Sequence, residues 1–235
     1  MLLANLHAVA LSAGYSVHME IEGLGRFPAR VVAVTPMGLH CAFGDLDVEA
    51  GTRLAHRLAD IEDEYRPMIL VAKQAARRVG TSLELAVAEG RLTLEQLFDA
   101  HYRPIPGTDP QQYETAYTKV LEDLLPAIQE PLLLSDNRMS FCVAADRNGY
   151  VPVHNRKCSL PQRAGDMAWN TANSRNKRLF DDRAGLIGSR SSRPFTVHCF
   201  ARDVGGGRTV MTREIDAPIR VLGRQWGGFR TGYQF

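Results

Sequence analysis

Eight apolar residues between Leu54 and Val79 recur at steps of 4, 3, 4, 3, 4, 3 and 4: Leu54, Leu58, Ile61, Tyr65, Met68, Ala72, Ala75 and Val79. A helix puts residues at that spacing on one side, so the segment reads as a helix whose apolar stripe must be buried. Asp60, Asp63, Glu64, Lys73, Gln74 and Arg77 lie off the stripe and stay wet. The stripe has two possible destinations, this chain's own sheet or a second copy of the chain. Small residues at Ala72 and Ala75 suit close helix approach, and a homodimer through helix 54–79 is the expectation. Pro67 argues for burial within the chain, because proline lacks an N–H and interrupts a long straight helix. The same reasoning predicts a break or kink at Pro67 and a stop at Gly80. Thr81 with Glu84 then has the pattern of a capping box opening a new helix that ends at Gly90. Thr93 with Gln96 repeats the signal for a helix through Leu97 and Phe98. A loop follows over 103–108. Asp109-Pro110 reads as the N-cap and first turn of another helix, running to Pro126.

Ahead of these helices the period changes to two. Tyr15, Val17, Met19 and Ile21 alternate with Ser16, His18, Glu20 and Glu22, which makes a strand. Gly23 and Gly25 mark a turn, and 26–34 and 37–43 read as two further strands joined at a Thr35-Pro36 corner. With a short buried helix over 1–14 they form a small antiparallel β unit, residues 1–50, that buries little by itself. A helical lead-in covers 51–130. From 131 the chain is mixed. Residues 139–145 and 150–154 read as a hairpin about the Asp146–Gly149 turn. Asn170 reads as the cap of a short helix through Phe180. Strands at 195–202, 208–216 and 219–233 follow, the last broken at Gly223. Hairpin, helical crossover and three-strand meander predict an α+β domain, 131–235, with one five-stranded antiparallel sheet and helices on one face.

Composition narrows the function. The 235 residues are 45% hydrophobic and 23% charged, which is globular usage. A net charge of +2 does not argue for nucleic acid, and none is expected as a partner. The charge is unevenly placed: 12 Lys and Arg against 19 Asp and Glu over 1–145, then 16 against 7 over 146–235. The C-terminal part could attract an anion, or its charge could be balanced by the acidic part. Cys41, Cys142, Cys158 and Cys199 form no CxxC pair, so a zinc ribbon or thioredoxin-like site is not indicated and a reduced, cytoplasmic chain is expected. No uncharged apolar run approaches the ~18 residues of a membrane span. The apolar start has no Lys or Arg ahead of it, as a signal peptide requires. No membrane insertion is expected.

Catalytic patterns are missing. His7, His18, His40, His56, His101, His154 and His198 contain no HExxH or paired spacing. Ser159, Ser174 and Ser189 lie in no GxSxG elbow. Gly205-Gly-Gly207 lacks the GK[ST] ending of a phosphate loop and reads as a hairpin turn. Asp181-Asp182 reads as local salt bridging. No enzyme, metal or cofactor is expected.

Several longer motifs are familiar: Leu97-Phe-Asp-Ala-His-Tyr-Arg-Pro-Ile-Pro-Gly-Thr108, Asp146-Arg-Asn-Gly-Tyr-Val-Pro-Val-His-Asn155, Trp169-Asn170, Arg178-Leu-Phe-Asp-Asp-Arg183 and Gly223-Arg-Gln-Trp-Gly-Gly-Phe-Arg230. Over residues 92–233 the chain resembles the C-terminal sensory module of cytoplasmic methyl-accepting chemotaxis proteins, a Cache (PAS-like) domain. The resemblance implies a non-enzymatic bacterial sensory protein that binds a small molecule between the concave sheet face and the helical crossover. The long helical hairpin by which chemoreceptors control their kinase has no counterpart here. The polar and aromatic candidates for the pocket are His154, Asn155, Trp169, Asn170, Arg178, Arg202 and Trp226. An arginine could hold a carboxylate or phosphate in a bidentate pair, and a tryptophan could form an apolar wall. Alternatively the tryptophans fill the core and the arginines pair with Asp181, Asp182, Asp203 or Asp216. Haem through His154 or His198 is a further alternative. The family tends to carry an amide where this chain has His198.

The N-terminal unit resembles a reduced PilZ domain, a family that binds cyclic di-GMP. Residues 26–43 align with the strand–corner–strand around its (Asp/Asn)-x-Ser-x-x-Gly motif, with Thr35 and Gly38 at the Ser and Gly positions. Ala33 replaces the acid or amide, and Arg26 and Arg30 lie in a strand rather than on the flexible segment that wraps the phosphates.

Overall fold

The computed structural model describes residues 2–3, 11–35, 38–203 and 207–234. The chain divides into two compact units, Met1–Arg66 and Pro67–Phe235. In the first, β1 (Leu2–Leu3), β2 (Ser16–Ile21), β3 (Gly25–Thr35) and β4 (Gly38–Phe43) form an antiparallel sheet in the order β1-β4-β3-β2. Period-two burial closes a core of Met19, Ala29, Val31, Leu39 and Cys41, with Leu11 and Val17 against it. Leu2 and Leu3 pair with β4 as a strand and 11–14 are coil and turn, not the expected helix; residues 1 and 4–10 of it and Pro36 of the corner lie outside the described residues. Arg26 and Arg30 sit within β3 on its exposed side. The first turn of α1 (Val48–Ala88) also belongs here, its Ala50 N–H donating to Asp47 at 2.7 Å.

α1 corrects the expected interruptions. It runs unbroken through Pro67 and Gly80. Gly80 is there for close approach: a Cβ would collide with the Arg220 carbonyl oxygen of the underlying sheet. Glu84 makes no capping box; it accepts the Leu222 backbone N–H at 2.7 Å. Gly90, in the left-handed region at φ +71°, follows the end of the helix as expected. Met68, Ala72, Ala75 and Val79 of the apolar stripe are buried, while Leu58 is 57% exposed.

In the second unit the chain continues through α2 (Leu94–Leu97), β5 (Arg103–Pro104), β6 (Tyr113–Glu114), α3 (Thr118–Leu124), α4 (Pro126–Leu134), β7 (Met139–Asp146), β8 (Tyr150–Val151), α5 (Met167–Asn173), β9 (Arg178–Leu179), α6 (Arg183–Arg190), β10 (Thr196–Asp203), β11 (Thr209–Val221) and β12 (Arg224–Tyr233). The Thr93–Gln96 capping box forms with both bonds, 3.1 and 2.9 Å. Asp109 does not cap a helix. It lies in the turn between β5 and β6, where its N–H donates to the Gln162 side chain at 2.8 Å, and the helix starts only at Thr118. Asn170 lies inside α5, whose N-cap is Asp166. α6 was not expected; Asp182 caps it by accepting the Gly185 N–H at 2.8 Å. Among the described residues no helix is long and apolar enough to cross a membrane.

The sheet has four strands, β10-β11-β12-β7, all antiparallel, rather than five. The chain turns at 146–149 as expected, with the Gly149 N–H bonded to Asp146 O at 3.0 Å, but β8 pairs with β9. Two amides occupy the edge of β7 that β8 would have covered. Asn155 Oδ1 accepts the Cys142 N–H at 2.8 Å, and Gln129 Nε2 donates to the Cys142 carbonyl at 3.1 Å. β11 runs uninterrupted to Val221, and the turn at Gly223 leads into β12.

Candidate functional site

Antiparallel register sets the site. One row across the sheet reads Thr196, Asp216, Arg230, Val143, and the next reads His198, Glu214, Gly232, Phe141. Two residues apart on each strand, these side chains share one face. The segment containing α5, β9 and α6 lies over that face. α6 fits closely because a Cβ on Gly188 would collide with the Asp216 carboxylate, and one on Gly228 would meet the Gly188 carbonyl. Gly232 likewise leaves room for the Phe141 ring. Between sheet and crossover remains a cavity of about 300 Å³. Its sheet side includes Phe141, Val143, Phe200, Arg202, Glu214 and Arg230, and its crossover side includes Thr171, Arg175, Arg178 and Phe180, with His154 between them.

Glu214 lines the sheet side of this cavity, and Asp216, two residues along the same strand, is likewise a buried carboxylate. Arg230 donates to Glu214 Oε1 through Nη2 at 2.6 Å and Nε at 3.0 Å, and its Nε lies 3.7 Å from Asp216 Oδ1. His198 bridges the same pair, Nε2 3.2 Å from Glu214 and Nδ1 3.4 Å from Asp216, while Thr196 donates its hydroxyl to Asp216 at 3.1 Å. Burial favours the neutral form of Glu214, but Arg230 and His198 outweigh it and hold the carboxyl below its usual range. Burial, then the charge of Glu214, pushes Asp216 up to about 8. Burial opposes charging of His198, yet its two carboxylate neighbours raise it above the usual imidazole value. His198, Glu214 and Asp216 place ligand atoms within 4.8 Å of one another, a set that could hold a metal ion. The Arg230 guanidinium already occupies the cation position beside both carboxylates, so the cluster is balanced by its own side chains.

This cluster makes stability pH-dependent. Asp216 and His198 have raised values in the folded state, so folded protein holds protons that the unfolded chain releases. Their contribution is complete below the unfolded values and is lost as pH rises through the folded ones. His154 acts in the opposite sense. Burial first, then Arg202 and Arg175, drive it well below its usual value, and the folded state loses stability as pH falls below about 6.5. Between about pH 6.5 and 8 only the falling limb operates. Thermal melts should show the melting temperature dropping across that interval, and Asp216→Asn should flatten the drop. A slope unaltered by the substitution would contradict the assignment.

Of the seven residues expected at the pocket, the structure brings three to this cavity: His154, Arg178 and Arg202. His154 is neutral; its Nδ1 accepts the Asn155 N–H at 2.8 Å, so the ring proton sits on Nε2. Asn155 is wholly buried, bonded to β7 as described. Asn170 binds the backbone, accepting from Arg163 N–H at 2.7 Å and donating to Asp109 O at 2.8 Å. Trp169 carries the Arg163 guanidinium 3.8 Å above its ring. Trp226 faces elsewhere. Between the pairs Ile219–Gly227 and Arg220–Gln225, β12 has one extra residue, Trp226, and this bulge breaks the alternation that would have placed it beside Arg230. Its indole N–H donates to Leu97 O at 2.9 Å and its ring packs on Tyr117. Trp226 lines a separate cleft of about 390 Å³ with Tyr102 and Asp146. Asp146 there is a structural pin, accepting from the Tyr102 and Tyr117 hydroxyls and the Asn148 and Tyr150 N–H groups.

Arg175, Glu214 and Arg230 escaped the sequence reading. The available signal is the pair of acids at 214 and 216, two apart on one strand and so on one face. Arg26 and Arg30 of the N-terminal unit point outward from one strand with Pro28 between them, rather than lying on a flexible segment.

No family model matches the sequence, and no curated protein matches it. Among solved structures, an extracellular ligand-binding receptor from Desulfohalobium retbaense DSM5692 is similar over 94% of this chain, at 14% identity and a TM-score of 0.41. The chain spans 32% of that receptor's length, and at this level the likeness bears on neither ligand nor mechanism.

Proposed function

We propose that residues 67–235 are a sensory module of the PAS/Cache kind that binds a small molecule between sheet and crossover and carries out no chemistry on it. The observation that carries this reading is the cavity itself: about 300 Å³, walled by aromatic rings and charged groups held on strands and a short helical crossover. The described residues lining it include no serine, cysteine or lysine nucleophile, and its histidine is neutral with one ring nitrogen bonded to backbone. The motif resemblance over 92–233 supports a signalling role. Thermal-shift screening with amino acids, organic acids, nucleotides and polyamines tests it. A true ligand at 100 times its Kd should raise the melting temperature by about 5–10 °C. Thr171→Trp, which fills the cavity from α5, should abolish that shift. No stabilisation by any class, or shifts that survive Thr171→Trp, would refute the reading.

A further inference from the structure

We propose that the ligand is a small organic monocarboxylate, its carboxylate received by Arg202 and its apolar body lodged against Phe141 and Phe180. This rests on the small-molecule reading above and adds the chemical class.

The first argument is electrostatic. Four guanidinium groups, Arg175, Arg178, Arg202 and Arg230, line the cavity with two carboxylates, Glu214 and Asp182. Glu214 is engaged by Arg230 and Asp182 caps α6, so neither is directed to Arg202. Among the described residues no carboxylate lies within ion-pair distance of Arg202. Burial, then the charge of Arg175, pushes the Arg202 guanidinium down to about 10. His154, across the cavity, is held neutral by burial and by Arg202, Arg175, Lys157 and Arg230. Two groups on different elements thus feel the same excess of positive charge, and an anion placed between them relieves it.

The second argument is geometric. The Arg202 guanidinium lies 4.3 Å from the Phe141 ring centre, over the ring. Its cationic face is therefore covered, and the N–H donors at its edge are the groups left for a planar two-oxygen acceptor. Arg178 and Arg175 lie 5.1 and 5.4 Å from the Phe180 ring centre, which places that ring among cations as well. Phe141, Phe180, Val143 and Val151 supply apolar wall that inorganic phosphate could not use. A volume of about 300 Å³ is at the lower end for small-molecule sites and limits the body to a short aliphatic chain or one ring.

Calorimetric titration of the full chain with propionate, benzoate, benzamide, benzylamine and inorganic phosphate separates the possibilities. Benzoate or propionate should bind, and the isosteric neutral benzamide should not. Arg202→Gln should weaken carboxylate binding on the order of 10- to 100-fold, the loss of one charge-assisted contact. Arg202→Lys, which keeps the charge, should retain part of it and serves if the glutamine variant folds poorly. Absence of carboxylate binding, or binding indifferent to both substitutions, overturns the inference. If benzamide, benzylamine or another neutral or cationic compound binds instead and Thr171→Trp abolishes it, the small-molecule reading stands and the carboxylate class falls. Phosphate binding as tightly as benzoate with the same Arg202 dependence overturns the apolar-body assignment.

Discussion

Replacing Arg230 with methionine should destabilise the C-terminal unit by about 3–5 kcal/mol, read as a fall in the urea midpoint at unchanged slope. The magnitude follows from what remains. Glu214 and Asp216 are both buried, and Arg230 is the permanent cation beside them. His198 is partly exposed and can stay charged only while protonated. Without the guanidinium, Glu214 loses the cation that holds it ionised and must take up a proton or admit water, and near pH 8, where Asp216 ionises too, two charges share one low-dielectric patch. The loss should therefore be greater at pH 8 than at pH 6. Adding Glu214→Gln to Arg230→Met should restore part of the stability, because it removes the stranded charge rather than another contact. An Arg230→Met protein as stable as wild type would show that the carboxylates do not depend on this cation.

Gly227→Ala should cost about 3 kcal/mol, at the upper end for overpacking. The added Cβ would collide with the Ala145 carbonyl oxygen and lie 2.7 Å from the Asp146 Cα. These are backbone atoms of the paired strand, so no side chain can rotate aside and β12 must move off β7. Gly51→Ala is the matched comparison. Gly51 is also in a regular element, but nothing lies within 4 Å of its would-be Cβ, and the change should be neutral or stabilising. Equal effects at the two positions would mean that β12 accommodates the methyl by a shift too small to matter.

Much of the fold was legible because period two and period 3.6 are local properties. Strands β2, β3, β4, β7 and β10 fall within a residue or two of expectation, as does the Thr93 cap. What was not legible depends on which group reaches a backbone bond first. Tyr150 and Val151 have strand character but pair with β9, and farther along β7 the Asn155 and Gln129 side chains take the Cys142 groups, where Val153 of the expected hairpin would have stood. Gly80 looks like a terminator until the Arg220 backbone is seen against it. The site divides similarly. His154, Arg178 and Arg202 were found because they flank the crossover. Glu214 and Arg230 were missed because a charged residue in a strand ordinarily faces water, and only register shows that each lies beside the other's charge. Trp226 was misplaced because one bulged residue reverses the alternation on which its position was inferred.

The side-chain closure of β7 has a bearing on how copies of this chain behave toward one another. A strand with an open row of N–H and C=O groups is a template on which other chains add strands, and aggregation begins there. On β7 the Cys142 amide and carbonyl are consumed by two amide side chains rather than by a neighbouring strand. A side chain cannot be extended as a strand can, so the ladder ends at Asn155 and Gln129. At Cys142, the edge of β7 is thus capped against an added strand without the chain having to supply one.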